Sequence, residues 1–105
     1  MKKYILNIDP EALIDIQEIT DWYNEQQTGL GKRFQRTLTE QIDSLEKSPQ
    51  IYAIRYNEIR CMIVKRFPHL VHFHIDEKSK TVEILAVIHT NRNPKIWNEK
   101  TNRNT

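Results

Sequence analysis

Residues 81–97 read TVEILAVIHTNRNPKIW, and this stretch carries the strongest structural signal in the chain. Its first part, Thr81–His89, is almost continuously apolar and rich in β-branched residues, which predicts a strand in the interior of a sheet, covered on both faces. The second part, Thr90–Trp97, contains polar turn formers and a proline, so the strand is predicted to end at His89. A histidine, an arginine and a tryptophan therefore follow one strand end.

Two shorter runs, Ile59–Arg66 and His69–Ile75, are also typical of strands. Gaps of two and five residues separate these runs from each other and from Thr81–His89. Gaps this short join neighbouring antiparallel strands, so the second half of the chain is predicted to form consecutive hairpins.

The first half of the chain reads as a short strand followed by two helices. Residues 3–8 are strand-like, and Asp9-Pro10 favours a helix start because aspartate caps free amides and proline fits the first turn. The apolar stripe of this helix, which runs to about Gln27, is Ala12, Ile16, Ile19 and Tyr23. The stripe of the second, which starts near Gly31 and is ended by Ser48-Pro49, is Phe34, Leu38, Ile42 and Leu45.

The predicted order of elements is β-α-α-β-β-β. Because both helices are amphipathic, we expect an α+β fold in which a helical hairpin packs on one face of an antiparallel sheet. A single domain spans residues 1–97, and residues 98–105 form a polar, frayed tail. The other face of the sheet is expected to stay partly open to a partner or substrate.

The composition excludes several classes of protein. With 105 residues, 38% hydrophobic and 29% charged, the chain fits one ordinary globular domain. Its single cysteine, Cys61, rules out an internal disulfide and multi-cysteine metal clusters. No long apolar run and no signal-peptide pattern is present, which predicts a cytoplasmic protein without a membrane segment. We expect no cofactor and no bound metal.

The charge is divided unevenly along the chain. Residues 1–50 carry a net charge of −3 and residues 51–105 a net charge of +5, which together give +2. The basic second half favours an anionic partner, although solvated surface charge would give the same pattern.

The polar cluster after Thr81–His89 is the first candidate site. Arg92 can bind a phosphate or carboxylate through two hydrogen bonds, and His89 can exchange a proton near neutral pH. The structural alternative is that Trp97 packs on the core and Arg92 fixes the turn.

A second candidate group consists of Arg55, Arg60, Lys65 and Arg66. In a regular strand Arg60 and Arg66 point to one face and Lys65 to the other. Such residues suit a nucleic-acid backbone or an acidic protein surface, and a solvated strand face is the alternative.

The remaining candidates favour structural roles. His72 and His74 share a strand face, but no third ligand completes a metal site. His69 is expected to cap or fill the core. Cys61 lies within a strand, where a free cysteine usually behaves as a small buried apolar residue rather than a nucleophile.

The chain resembles the RelE/ParE superfamily of bacterial toxins from type II toxin–antitoxin modules. The resemblance covers residues 4–97 and rests on the order of five short stretches. These are Leu45-Glu46-Lys47-Ser48-Pro49, Ile59-Arg60, Phe67-Pro68-His69, Ala86-Val87-Ile88-His89, and Arg92 with Pro94 and Trp97.

The resemblance implies a toxin domain neutralised by a cognate antitoxin from an adjacent reading frame, whose disordered segment folds onto the toxin. ParE-like members bind DNA gyrase and block replication without known catalytic residues. RelE-like members are metal-independent, ribosome-dependent mRNA endonucleases. A third alternative for this chain is a non-toxic family member that only binds its partner. The sequence leaves open a homodimer as well as a monomer.

Comparison with the RelE-like enzymes favours the ParE-like interpretation. An expected arginine falls near Leu70 and an expected tyrosine near Trp97, and neither residue can replace the lost chemistry. The gyrase interpretation assigns target or antitoxin binding to Arg55, Arg60, Arg66, His89, Arg92 and Trp97. The RNase alternative assigns catalysis to His89, Arg92, Arg60 and Lys65. The aromatic-arginine pattern of the family is replaced by His72-Phe73-His74.

Overall fold

The structure is a computed structural model and describes residues 3–101. Its elements are β1 (Ile5–Ile8), α1 (Pro10–Gln26), α2 (Leu30–Ser44), β2 (Ile54–Tyr56), β3 (Ile59–Ile63), β4 (His69–Asp76), β5 (Thr81–His89) and α3 (Lys95–Thr101). No helix within the described range is long and apolar enough to span a bilayer.

The five strands form one sheet in the order β1-β5-β4-β3-β2. The pairs β2–β3, β3–β4 and β4–β5 are antiparallel. Strand β1 pairs parallel with β5, with Ile5 opposite Thr81. The α+β fold with a helical hairpin is confirmed, but the sheet is mixed rather than wholly antiparallel. No tight turn links β1 to β5 along the chain, so nothing forces them into an antiparallel hairpin.

The two long helices come close together at a glycine. Gly29 caps α2 with a φ of 86°, a left-handed conformation that side chains rarely adopt. A Cβ on Gly31 would lie 2.3 Å from the carbonyl oxygen of Thr20, so only glycine fits where α2 crosses α1. The amide of Gly31 also donates to Asn24 Oδ1 at 2.8 Å. These contacts fix the hairpin that covers one face of the sheet.

The main core lies between this hairpin and the sheet. Phe34 and Leu38 of α2 meet Val71, Phe73 and other fully buried side chains of the strands. At one end the Tyr23 ring lies 5.1 Å from the Phe67 ring and 5.5 Å from the Phe34 ring. Aromatic edge contacts therefore close the core where β4 begins.

Several predicted boundaries differ from the structure. Strand β3 ends at Ile63 rather than Arg66, because the chain then turns back towards β4. Helix α2 ends at Ser44, where hydrogen bonds three residues apart replace the helical pattern, well before Ser48-Pro49. Strand β2 and helix α3 have no counterpart in the predicted order, since each is too short to show a clear apolar period.

Helix α3 overlaps the first residues of the predicted polar tail. A frayed tail was predicted from Asn98, but α3 continues through Asn98 to Thr101, whose hydroxyl donates to the carbonyl of Trp97 at 2.7 Å. Residues 102–105 of the predicted tail lie outside the described residues.

Candidate functional site

The face of the sheet opposite the hairpin, called here the far face, is partly covered by α3. Cys61, His72 and Ala86 lie side by side on β3, β4 and β5 and point to this face. The Trp97 ring lies 4.9 Å from the His72 ring and 5.3 Å from the Tyr56 ring. A short helix thus covers the middle of the face that was expected to stay partly open.

His72 is fully buried and sits in a polar network. Its Nδ1 is 2.8 Å from the hydroxyl of Tyr56 and 3.5 Å from Cys61 Sγ. Burial lowers the pKa of His72 to about 4, and the positive charges of Arg55 and Lys100 act in the same direction. His72 is therefore neutral at physiological pH and cannot act as a cation there.

Cys61 beside it is also unreactive at neutral pH. Burial raises the pKa of the Cys61 thiol to about 11, and nearby Arg55 lowers it only in part. The thiol form lacks the nucleophilicity of a thiolate, which agrees with the expected structural role of this cysteine.

Trp97 and Arg55, two predicted binding residues, lie together on the far face. The Arg55 guanidinium carbon is 5.6 Å from the centre of the Trp97 ring, a cation–π distance. Trp97 Nε1 is buried and has no hydrogen-bond partner within residues 3–101. Trp97 packs against the sheet as the structural alternative proposed, with Arg55 stacked outside it.

His89 and Arg92 line a cleft between α1 and the end of β5. Two cavities of about 120 and 260 Å³ share its walls, with the carboxylate of Glu18 and the half-exposed ring of Trp22 on the α1 side. His89 Nδ1 accepts a hydrogen bond from the amide of Asn91 at 2.9 Å, which leaves Nε2 as the nitrogen that can exchange a proton with a ligand.

His69 forms the buried floor of this cleft. Its ring centre lies 5.0 Å from that of His89, and its Nδ1 is 3.5 Å from the Tyr23 hydroxyl. Burial lowers the pKa of His69 to about 4, with a further contribution from His89. His69 is thus a neutral core residue, as the sequence predicted.

An ion pair that the sequence analysis missed closes the cleft. Asp15 is buried on α1, and its Oδ1 accepts from Lys100 Nζ at 2.6 Å. Its Oδ2 accepts from the amide of Val87 at 3.0 Å. Asp15 stands three residues after Ala12 and four before Ile19, so its place on the apolar stripe was the available signal.

The basic residues of the second group do not form one cluster. Arg60 Nη1 donates to the carbonyl of Tyr52 at 2.6 Å and of Gln50 at 3.3 Å, so it anchors the segment that follows α2. Arg66 lies beyond the end of β3 in a turn, with a φ of 69°. The prediction that Arg60 and Arg66 share a strand face is wrong, because the strand ends before Arg66.

Lys65 precedes Arg66 in the same turn, where its amide donates to Gln41 Oε1 at 2.6 Å. Of the four residues in the RNase interpretation, His89 and Arg92 line one cleft, Lys65 lies in the β3–β4 turn, and Arg60 is bound elsewhere. The described part of the chain contains no group of three histidine, cysteine or acidic side chains arranged for a metal ion.

Comparison with known proteins identifies the family. The family model for the ParE toxin of type II toxin–antitoxin systems, parDE, matches residues 6–94. The chain belongs to the ParE toxin family. It is therefore a toxin of a type II toxin–antitoxin module, and the resemblance to the RelE/ParE superfamily is confirmed. Among curated proteins, none is significantly similar to this ParE family toxin in sequence.

Solved structures share the fold at low identity. A chain of the chromosomal ParDE system from P. aeruginosa is 19% identical, with a TM-score of 0.75, and the match covers 85% of this toxin and 98% of that chain. A mutant of the E. coli toxin RelE in the free state is 14% identical, with a TM-score of 0.72 and coverage of 98% and 99%. The RelBE2 toxin–antitoxin complex from Mycobacterium tuberculosis matches at 20% identity and a TM-score of 0.61, with coverage of 83% and 98%.

Proposed function

We propose that this ParE family toxin inhibits growth by binding DNA gyrase in the cytoplasm, without catalysis, and that a cognate antitoxin neutralises it. The observation that carries this proposal is that one candidate RNase residue, Arg60, lies apart from His89 and Arg92. Cleavage of RNA without a metal needs a proton-transfer group and several cations around one phosphate. Here the Arg60 guanidinium is held by two backbone carbonyls, remote in the sheet from the pair His69 and His89.

The far face supports the same proposal. Ile63, Leu70 and Ile88 lie side by side on β3, β4 and β5, next to the row that contains His72. These apolar side chains can neither bind a phosphate nor move a proton. Ile63 is 51% exposed and Leu70 is partly exposed, whereas Ile88 is buried, so the β3 side of this end suits contact with a protein surface better than contact with RNA.

The antitoxin is proposed to dock in an apolar groove of about 310 Å³ between β1, α1 and α2. The groove is lined mainly by aliphatic residues, namely Leu6, Ile8, Leu13, Ile16, Leu38 and Ile42. Leu13 is 52% exposed there, and an amphipathic antitoxin segment would cover it.

The antitoxin groove is tested by charge insertion. We expect Leu13→Glu to weaken binding of the protein encoded by the adjacent reading frame at least tenfold, because a carboxylate would be buried in the complex. Ile51→Glu is the control, since Ile51 is also highly exposed but does not line the groove. Equal binding by both variants would place the antitoxin elsewhere.

The target is tested by expression without antitoxin and by assay with purified gyrase. The proposal expects an early fall in thymidine incorporation, with methionine incorporation spared, and inhibition of DNA supercoiling in vitro. An early fall in methionine incorporation would contradict the gyrase proposal. No effect on growth or on supercoiling would instead indicate a non-toxic protein that only binds its partner.

The RelE-like activity remains the second candidate, because His89 and Arg92 share one cleft. If the toxin cleaves mRNA on the ribosome, replacing both residues by alanine should abolish cleavage and leave antitoxin binding intact. The control pair is His74→Ala with Lys78→Ala, which likewise removes one histidine and one cationic side chain, towards the other end of β4. Gyrase inhibition that survives the first pair would favour the ParE-like function.

A further inference from the structure

Three arginines surround a cavity that the proposed function does not use. Arg33 and Arg36 of α2 and Arg66 of the β3–β4 turn line a space of about 350 Å³. Glu40 is the one carboxylate among the residues that line it, and none of the three guanidinium groups forms an ion pair with a carboxylate of residues 3–101. Three positive charges with a single carboxylate among them leave an excess of like charge, and an anionic ligand would relieve the resulting repulsion.

The backbone that carries the three exposed arginines is held in place before any ligand binds. Arg33 and Arg36 are one helical turn apart and so lie on the same side of α2. Arg66 is held by a turn in which the amide of Phe67 donates to the carbonyl of Val64 at 3.2 Å. The Phe67 ring packs 5.1 Å from the Tyr23 ring and 5.2 Å from the Phe34 ring, which anchors the turn in the core.

We propose that Arg33, Arg36 and Arg66 form a binding site for the phosphate backbone of a nucleic acid. Guanidinium groups match phosphate oxygens through paired hydrogen bonds, and three of them can engage neighbouring phosphates. Leu30 and Phe67 add an apolar side to the cavity, against which a sugar or base can lie. The site is distinct from the His89–Arg92 cleft, and the proposal does not depend on which target the toxin inhibits.

An acidic peptide fits this cavity less well. The walls are a helix and a tight turn, so no free strand edge is present there to bind an extended peptide through its backbone. A peptide would have to bind through side-chain carboxylates alone. A nucleic acid presents a regular row of phosphates and needs no backbone pairing.

The test is binding of fluorescently labelled duplex DNA and of single-stranded RNA, measured by anisotropy at about 50 mM and about 200 mM salt. The site variant carries Arg33→Gln, Arg36→Gln and Arg66→Gln. The control variant carries Lys3→Gln, Lys47→Gln and Lys78→Gln, which removes the same charge from exposed positions. These lysines lie near the opposite end of the sheet. There the amide of Tyr4 donates to the carbonyl of Glu46, and the Tyr4 hydroxyl donates to the carboxylate of Glu77.

We expect the site variant to bind at least one of the two nucleic acids at least tenfold more weakly at the lower salt concentration. Its log–log salt dependence should be shallower by about two to three, one for each lost phosphate contact. The control variant should change affinity less than threefold. Preference for DNA or RNA identifies the source of the phosphate, and competition by inorganic phosphate supports recognition of single phosphate groups.

Three results would overturn the proposal. The first is that neither nucleic acid binds to the wild-type toxin. The second is equal weakening by the site and control variants, which would mean that net charge alone attracts the nucleic acid. The third is tight binding of a glutamate-rich peptide, with no nucleic-acid binding, that the site variant loses. Urea unfolding of both variants checks that they are folded, and the supercoiling assay reports separately on the proposed gyrase function.

Discussion

The two faces of the sheet are covered by different means. On the hairpin face, helices of 17 and 15 residues cover an apolar core in which Phe34 and Phe73 are fully buried. On the far face, a helix of 7 residues covers His72, which is equally buried but is bound to a hydroxyl and lies beside a thiol. Depth of burial alone therefore does not show what stabilises each face.

The difference follows from helix length. A helix as short as α3 does not form alone in water and depends on its contacts with the rest of the chain. Those contacts are the ring of Trp97, the ion pair of Lys100 with Asp15, and the hydroxyl of Thr101, which is 3.3 Å from that of Tyr56. We therefore expect the far face to contribute less to the free energy of unfolding than the hairpin face.

The largest expected effect is on the hairpin face. Phe34→Ala should lower the free energy of unfolding by about 4 kcal/mol, because it leaves a cavity among aromatic rings that cannot collapse. The measurement is urea denaturation followed by circular dichroism. Ile51→Ala, at a side chain that is 73% exposed, is the control and should change stability by less than about 0.5 kcal/mol. Similar losses in both variants would contradict the proposed core.

A pH change should affect both faces together. The pKa of His69 and of His72 is lowered to about 4 by burial, so the unfolded chain binds protons near pH 6.5 that the folded chain does not. Stability from each histidine is complete above that pH and is lost as the pH falls towards 4. Between pH 7 and pH 5 we expect a combined loss of roughly 3 kcal/mol.

Substituting one histidine at a time measures how much of this pH-dependent loss of stability comes from each face of the sheet. His69→Gln and His72→Gln should each remove about half of the difference between the unfolding free energies at pH 7 and pH 5. The urea midpoints of both variants at both pH values give the answer. If His72→Gln leaves the full pH difference in place, the far face is open to water and is not buried as described.

Substituting each of the two tryptophans compares how much the covered far face and an exposed surface contribute to stability. Trp97→Ala should lower the free energy of unfolding by about 2 kcal/mol, since its ring packs on His72 and Tyr56. Trp22→Ala should cost less than about 1 kcal/mol, because its ring is 53% exposed. A larger cost for Trp22 would reverse the assigned roles. Thermal and urea unfolding of the two variants provide the comparison.

The smallest expected effect is the coupling of Asp15 with Lys100. A double-mutant cycle with Asp15→Asn and Lys100→Met should give about 1 kcal/mol, because the carboxylate is buried and the ammonium is partly exposed. The matched pair Glu77 and Lys80, also in contact at 2.8 Å but exposed, should give a clearly smaller coupling energy. Equal couplings would mean that the burial of Asp15 adds nothing.

The elements that could be predicted from the sequence are those long enough to repeat their apolar pattern several times. The stripes of α1 and α2 and the bounds of β5 were found because each repeats over several turns or alternations. Strand β2 and helix α3 were missed because 3 and 7 residues are too few to show a pattern. Their positions depend on tertiary contacts, which no local spacing records.

The sequence predicted which residues are candidates for a site, but not which of them lie together in the fold. His89 and Arg92 are close in sequence and do share a cleft, whereas Asp15 and Lys100 are 85 residues apart and gave no local signal as a pair. Arg66 was assigned to a strand face, yet its neighbours are the helical Arg33 and Arg36. Charge counting indicates an anionic partner, but only the topology shows which basic residues lie together.

The buried carboxylate of Asp15 also constrains the order of folding. Its two oxygens bind the amide of Val87 and the ammonium of Lys100, so one side chain joins an early helix, the last strand and the last helix. These are contacts of high sequence separation, which form late because long loops must close first. Helix α3 can complete its docking only when α1 and β5 are already in place.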